Sequence, residues 1–258
     1  MNALMYHDVV AAGDEDTSGF PGRAAALYKV TPEAFAEHLD AIGCAVPADL
    51  AHPAPVVTFD DGGRSAMAAA DILERRGRIG HFFVTSNYIG ARGFLTGGEI
   101  RELARRGHVI GSHSCSHPLR MGHCPWRQLL DEWVLSRSIL SEIVGGGVSD
   151  ASVPGSDFAP QVAEAAARAG ITRLFTSEPI GESRNAFGLT LVGRVAIQKS
   201  TTAATVAAVA AGESLPCAWH RSCGARRRWP SAWAASGYLQ MRKLLLGHGN
   251  DMQWGDQR

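Results

Sequence analysis

Short apolar segments alternate with helical segments along most of this 258-residue chain. The apolar segments, such as "PVVTF" and "IGHFFVTS", are rich in β-branched and aromatic residues, and segments with helical spacing of apolar residues lie between them. Thr31 and Pro32 begin one helical segment as N-cap and first helical residue, and Gly77 follows the end of another. The alternation is typical of parallel βα units. Six or seven such units in one chain predict a closed or nearly closed α/β barrel.

The alternation is clear as far as about residue 212 and weakens after it. We therefore expect one α/β domain over residues 1–212. Residues 213–258 are expected to form an extension that contains one helix, at about 233–246, and an irregular end. This extension would pack on the domain or trail from it.

Composition and charge argue against several classes of protein. The chain has 25 Lys and Arg against 25 Asp and Glu, so its zero net charge offers no basic surface for nucleic acid. No apolar run approaches the roughly 20 residues of a membrane span. The first ten residues contain neither a basic segment nor an apolar signal core, and the five cysteines lack CxxC spacing. We therefore expect a cytoplasmic protein with reduced thiols and no nucleic-acid partner.

Two aspartates, Asp60 and Asp61, stand together at the end of the apolar segment "VVTF". In parallel α/β folds the chemistry lies at the C-terminal ends of the strands. Adjacent side chains of a strand point to opposite faces, so both carboxylates serve one pocket only if the chain turns there. Glycines at positions 62 and 63 permit that turn. One aspartate would suffice to cap the following helix, so the second indicates a chemical role.

A pair of histidines follows another apolar segment, "HVIG". His113 and His117 are four residues apart in "GSHSCSHPL", and Pro118 disfavours a helix at this point. A loop that turns both imidazoles inward is therefore expected. Two neutral imidazoles and one carboxylate suffice for a catalytic zinc that keeps one position open for water.

The motifs "TFDDG" and "HSCSH" together resemble the first two motifs of the polysaccharide deacetylase family, the NodB-homology domain of carbohydrate esterase family 4. The resemblance runs from "LMYH" to about residue 212. It implies a distorted (β/α)7 barrel that removes N-acetyl groups from amino sugars, or O-acetyl groups and other amides in some members. It also implies that Asp60 is the catalytic base. Asp61, His113 and His117 would then hold one divalent metal ion, usually zinc, and an N-acetylated carbohydrate would be the substrate.

The third motif of the family, Arg-x-Pro-aromatic-Gly, corresponds to "SVPGS" in this chain. Pro154 is retained, but Ser152 replaces the arginine that orients the base in the family. Gly155 replaces the aromatic residue whose backbone N–H helps to stabilise the oxyanion, and a glycine still supplies that N–H. The arginine must come from elsewhere if its role is kept, and Arg194 and Arg173 are the candidates.

The last motif of the family, Leu-x-His, supplies the general acid and has no clear counterpart here. His220 in "CAWHR" is the nearest candidate. His7 in "LMYHDV" is a second one, because it follows the first strand and so lies at the same end of the sheet as the two motifs. Three functions stay open at this point: a deacetylase of N-acetylated sugars or their polymers, an amidase acting on a small non-sugar amide, and a carbohydrate-binding protein with weakened catalysis.

Overall fold

The computed structural model describes residues 3–46, 54–178 and 183–213. The chain divides into two compact units, Met1–Leu215 and Pro216–Arg258, and all described residues belong to the first. The predicted extension beyond residue 213, with its helix at about 233–246, lies outside the described residues. Its boundary near residue 212 stays a prediction. None of the helices in the described ranges combines the length and the apolar character that crossing a bilayer requires.

The described part of the chain contains eleven strands and seven α-helices. The strands are β1 (Ala3–Tyr6), β2 (Asp8–Val9), β3 (Lys29–Val30), β4 (Val56–Phe59), β5 (Gly80–Val84), β6 (Val109–Ser112), β7 (Asp150–Ser152), β8 (Arg173–Thr176), β9 (Arg184–Ala186), β10 (Leu189–Gly193) and β11 (Val195–Ala196). The helices are α1 (Arg23–Ala26), α2 (Pro32–Ala45), α3 (Ala66–Glu74), α4 (Gly97–Arg105), α5 (Trp126–Val144), α6 (Pro160–Arg168) and α7 (Ala203–Ala210).

Nine of these strands form one sheet, in the order β11-β1-β4-β5-β6-β7-β8-β10-β9. All neighbouring pairs are parallel except β9 with β10. The predicted α/β barrel is confirmed in the form of a curled parallel sheet. A single chain segment links the two sides of this sheet. β10 pairs with β8 on one side, and the chain then continues through Arg194 into β11, which pairs with β1 on the other side. Arg194 is the single residue between β10 and β11.

Local capping fixes where several helices begin. Thr31 Oγ1 accepts the backbone N–H of Ala34 at the start of α2, as its position before Pro32 predicts. Thr96 and Glu99 form a reciprocal capping box at the start of α4. Each cap satisfies N–H groups that the first turn of a helix leaves unpaired, and loss of one costs about 1 kcal/mol. The helices therefore start at defined points, which fixes the short loops that leave the strands.

The hydrophobic core lies between the curled sheet and its helices. One cluster packs β1, β4 and β5 against α2 and α3, with Phe35, Phe59 and Phe82 at its centre. A second packs β7 and β8 against α5 and α6, where the buried Trp133 donates its indole N–H to the carbonyl of Val162. Parallel strands that are covered in this way consist of apolar residues. The polar side chains concentrate where the strands end.

Residues 10–28, between β2 and β3, form a segment that the sequence did not predict and that we call the strap. Lys29 holds the strap in place, because its buried ammonium group donates to the backbone carbonyls of Glu15, Ser18 and Phe20. The same ammonium lies 3.7 Å from the buried carboxylate of Asp8. A buried charge is stable only when it is paired and hydrogen-bonded, and Lys29 meets both conditions.

Candidate active site

The two aspartates lie directly after β4, where the backbone leaves the extended conformation and turns. Asp61 has a φ of 75°, in the left-handed region that few non-glycine residues adopt, and Gly62 follows with a φ of 83°. A Cβ atom added to Gly62 would lie 3.0 Å from Cγ1 and 3.2 Å from Cα of Val84, so the turn requires glycine. The turn allows Asp60 and Asp61, both buried, to contribute to one site.

The side chains of Asp61, His113 and His117 converge, with one possible ligand atom from each lying within 4.8 Å of the others. Oδ1 of Asp61 is 3.3 Å from Nε2 of His113 and 3.4 Å from Nε2 of His117. This buried oxygen makes no hydrogen bond within the described part of the chain. Ligand atoms about 2.0–2.1 Å from a tetrahedral zinc are about 3.3–3.4 Å apart. The three side chains therefore fit a divalent metal such as zinc.

Ser152, at the end of β7, connects one candidate metal ligand with the candidate base. Nδ1 of His113 lies 2.6 Å from Ser152 Oγ and 3.2 Å from the Ser152 carbonyl. Because a carbonyl only accepts, we assign the imidazole hydrogen to Nδ1, which leaves the lone pair of Nε2 directed at Asp61 and the metal position. Ser152 Oγ in turn donates to Asp60 Oδ1 over 3.1 Å.

Arg194, one of the two candidates for the missing arginine, pairs with the candidate base. Its Nη1 and Nη2 donate to Oδ1 and Oδ2 of Asp60 at 2.6 and 2.7 Å, and its side chain is fully buried. Nε of Arg194 donates to the Thr176 carbonyl, which fixes the plane of the guanidinium. Burial by itself would raise the pKa of Asp60, but nearby positive charge, chiefly that of Arg194, and the hydrogen bonds from Arg194 outweigh it and lower that pKa. Asp60 is therefore ionised at neutral pH.

Arg173, the other candidate for this role, serves a different carboxylate. It donates to Asp150, and the two residues stand at the amino ends of β8 and β7, at the end of the sheet opposite the aspartate pair. The prediction that Arg173 orients the candidate base was therefore wrong. Arg194 belongs to none of the motifs. The one sequence feature that could have identified it is its position directly after an apolar strand.

His7 lies between β1 and β2 and is partly exposed. Its ring is 4.9 Å from the ring of Tyr28 in the strap, and its buried Nδ1 has no hydrogen-bond partner among the residues that the structure describes. Tyr6 of β1 lies opposite Phe59 of the parallel strand β4, so His7 and Asp60 follow neighbouring strands at the same end of the sheet. His220, the first candidate for the acid, lies outside the described residues.

Pro154 and Gly155 form a short 3₁₀ turn with Ser156 directly after β7. Pro154 is buried, whereas Gly155 is exposed and has a φ of 63°. A Cβ atom at Gly155 would lie 2.9 Å from the carbonyl oxygen of Leu119. The position that the family fills with an aromatic residue therefore requires glycine in this chain. The oxyanion role of the Gly155 N–H stays a prediction.

Residues 49–174 match the family model described as polysaccharide deacetylase. The resemblance to the polysaccharide deacetylase family is confirmed. The matched region includes Asp60, Asp61, His113, His117 and Ser152, whereas Arg194 lies beyond it. No curated protein matches the sequence.

Three solved structures are similar to this chain, each over 81% of its length. The Streptococcus pyogenes deacetylase PplD in complex with acetate has 19% identity, a TM-score of 0.67 and 97% of its own chain covered. IcaB from Ammonifex degensii has 22% identity, a TM-score of 0.65 and 96% covered. A de-N-acetylase from Aggregatibacter actinomycetemcomitans has 20% identity, a TM-score of 0.63 and 98% covered. At these identities the likeness establishes the deacetylase-type fold.

Proposed function

We propose that this chain is a metal-dependent hydrolase that removes N-acetyl groups from an amino-sugar-containing polysaccharide or oligosaccharide. One observation carries the proposal: an ionised, buried carboxylate, Asp60, is joined through Ser152 to a cluster of one aspartate and two histidines. A base next to a metal site is the arrangement that hydrolysis of an unactivated amide requires. The family match supports an acetylated carbohydrate as the substrate.

The roles of the residues follow from their contacts. Asp61, His113 and His117 would hold the metal, which when bound makes a water nucleophilic near neutral pH and polarises the acetyl carbonyl. Asp60 does not belong to this ligand cluster and accepts the proton of the attacking water. Arg194 binds both carboxylate oxygens of Asp60, so it fixes the orientation of the base and keeps it ionised.

We assign the general acid to His7. An amine leaves poorly unless it is protonated, so amide hydrolysis needs a donor on the leaving-group side. His7 follows β1 at the end of the sheet where Asp60 follows β4, is partly exposed and has a ring nitrogen without a partner in the described ranges. The Gly155 N–H is proposed to stabilise the oxyanion.

Arg194 argues against a binding protein with weakened catalysis. That alternative depended on the loss of the arginine and of the acid, and a buried arginine now pairs with the base. Hydrolysis of O-acetyl esters is a related activity of the same site. An alkoxide leaves more easily than an amine, so a weakly placed acid would penalise amides more than esters.

The proposal is tested by acetate release from a panel of N-acetylated sugar oligomers, O-acetylated sugars and small non-sugar amides, with and without added zinc. We expect zinc-dependent release from the N-acetylated oligomers, and one bound metal ion per chain by elemental analysis. The metal should be lost when His113→Ala and His117→Ala are combined. Stoichiometric metal in that double variant would refute the ligand assignment, and acetate release from the non-sugar amides alone would refute the substrate class.

A further inference from the structure

The loop between the two candidate histidine ligands has an unusual backbone. Ser114 and His117 have φ angles of 64° and 57°, in the left-handed region that non-glycine residues rarely adopt. Two hydrogen bonds within the loop favour this shape: the N–H of Ser114 donates to Ser112 Oγ, and the N–H of His117 donates to Ser114 Oγ. The backbone N–H groups of Cys115 and Ser116, in the middle of the loop, take part in neither bond and find their acceptor outside the loop.

Glu132 on α5 provides that acceptor. Its Oε2 accepts the backbone N–H groups of Cys115 and Ser116 at 2.9 and 2.7 Å, and its Oε1 accepts the Ser116 hydroxyl at 2.5 Å. The side chain is buried, with 6% of the residue exposed. Hydrogen bonds to an ionised acceptor are about twice as strong as neutral ones, so one carboxylate holds two consecutive peptide groups firmly.

We infer that Glu132 is a positioning residue for the metal site. By fixing Cys115 and Ser116, it keeps His117 in its left-handed conformation and so directs the His117 imidazole toward Asp61 and His113. The inference rests on the proposed metal site. Glu132 is not one of the three candidate ligands, and it belongs to none of the motifs in the sequence.

The expected effect follows from the behaviour of outer partners of metal ligands. Removing such a partner typically lowers metal affinity about 10–100-fold, because the ligand then samples orientations that do not bind. Glu132→Ala removes all three hydrogen bonds. In Glu132→Gln, the amide oxygen can still accept both N–H groups and the amide nitrogen can donate to Ser116 Oγ. The glutamine variant should therefore restore most of the zinc affinity.

The experiment measures zinc affinity of the purified, metal-free full chain by competition with a chromophoric chelator, together with its melting temperature. Leu140→Ala is the matched control, because Leu140 is a fully buried residue of the same helix with no place in the loop contacts. Both alanine variants should lower the melting temperature. We expect about 10–100-fold weaker zinc binding in Glu132→Ala, about fivefold or less in Glu132→Gln, and wild-type affinity in Leu140→Ala.

If the wild-type chain binds zinc, three results would overturn the inference while leaving the proposed metal site intact. Wild-type zinc affinity in Glu132→Ala would show that the loop keeps its shape without the carboxylate. An equal loss in Leu140→Ala would show that affinity follows global stability. A glutamine variant as weak as the alanine variant would show that hydrogen bonding to the loop is not the cause. Failure of the wild-type chain itself to bind zinc would refute the proposed metal site and the inference together.

Discussion

Replacing Arg194 with methionine tests how the base is held. Methionine keeps a long apolar side chain but removes both hydrogen bonds to Asp60, which are 2.6 and 2.7 Å long, and leaves a fully buried carboxylate without its cation. Removing one partner of a buried ion pair costs about 3–5 kcal/mol of folding free energy. Loss of a positioned, ionised base costs about 10²–10⁴-fold in rate. We expect both losses in Arg194→Met.

The sign of the pH dependence follows from the pKa of Asp60. In the native protein this pKa is lowered, so the pair stabilises the fold above the pKa of the unfolded carboxyl, about 4, and this contribution disappears as the pH falls through the lower folded value. Without Arg194 the main opposition to the burial effect is gone, and the pKa of Asp60 rises. The stability deficit of the variant should therefore be largest at neutral and higher pH, and its relative kcat/KM should improve as the pH rises.

The assay compares kcat/KM for acetate release, denaturant unfolding and metal content across pH 5–9. Arg194→Lys keeps the positive charge but not the two-pronged contact, so it should recover stability better than rate. Arg173→Met is the control, because Arg173 pairs with Asp150 at the other end of the sheet. It should lower stability and leave kcat/KM within about threefold, below the usual contribution of an acid or base group. Wild-type kcat/KM in a folded Arg194→Met protein would refute the assigned role.

The remaining predictions concern single residues of the same site. Asp60→Asn should keep its metal by elemental analysis and lose about 10²–10⁴-fold in rate, whereas metal loss here together with an unimpaired Asp61→Asn would mean that the two roles are reversed. His7→Ala should slow amide hydrolysis by about 10²-fold or more and ester hydrolysis by less, and a loss below tenfold on the amide would remove His7 as the acid. Gly155→Ala should lower the melting temperature and the rate, because its Cβ would lie 2.9 Å from the Leu119 carbonyl at a left-handed φ, and an unchanged melting temperature would contradict this geometry.

Much of the architecture was readable from the sequence because it depends on local patterns. Apolar β-branched runs, helical spacing and capping residues act over a few positions, and they predicted the alternating elements and a barrel of parallel strands. The same logic predicted that "TFDDG" and "HSCSH" lie at one end of the sheet, where the structure gathers Asp61, His113 and His117. The strap of residues 10–28 has no such periodicity, and its attachment depends on three carbonyls that meet Lys29 only in the folded chain.

The partners of the site residues were decided by the tertiary structure alone. Arg194 is 134 positions from Asp60 in the chain, and the two meet because the sheet curls until the segment after β10 reaches β1. From the sequence alone, Arg173 was an equally good candidate. Arg173 is the first residue of β8, however, whereas Arg194 follows the last residue of β10, so the two arginines lie at opposite ends of the sheet. Glu132 reaches the loop between His113 and His117 only through the packing of α5 on the sheet. Sequence patterns report short-range preferences of the backbone, whereas the choice of a buried charge partner depends on which strand ends the closure of the sheet brings together.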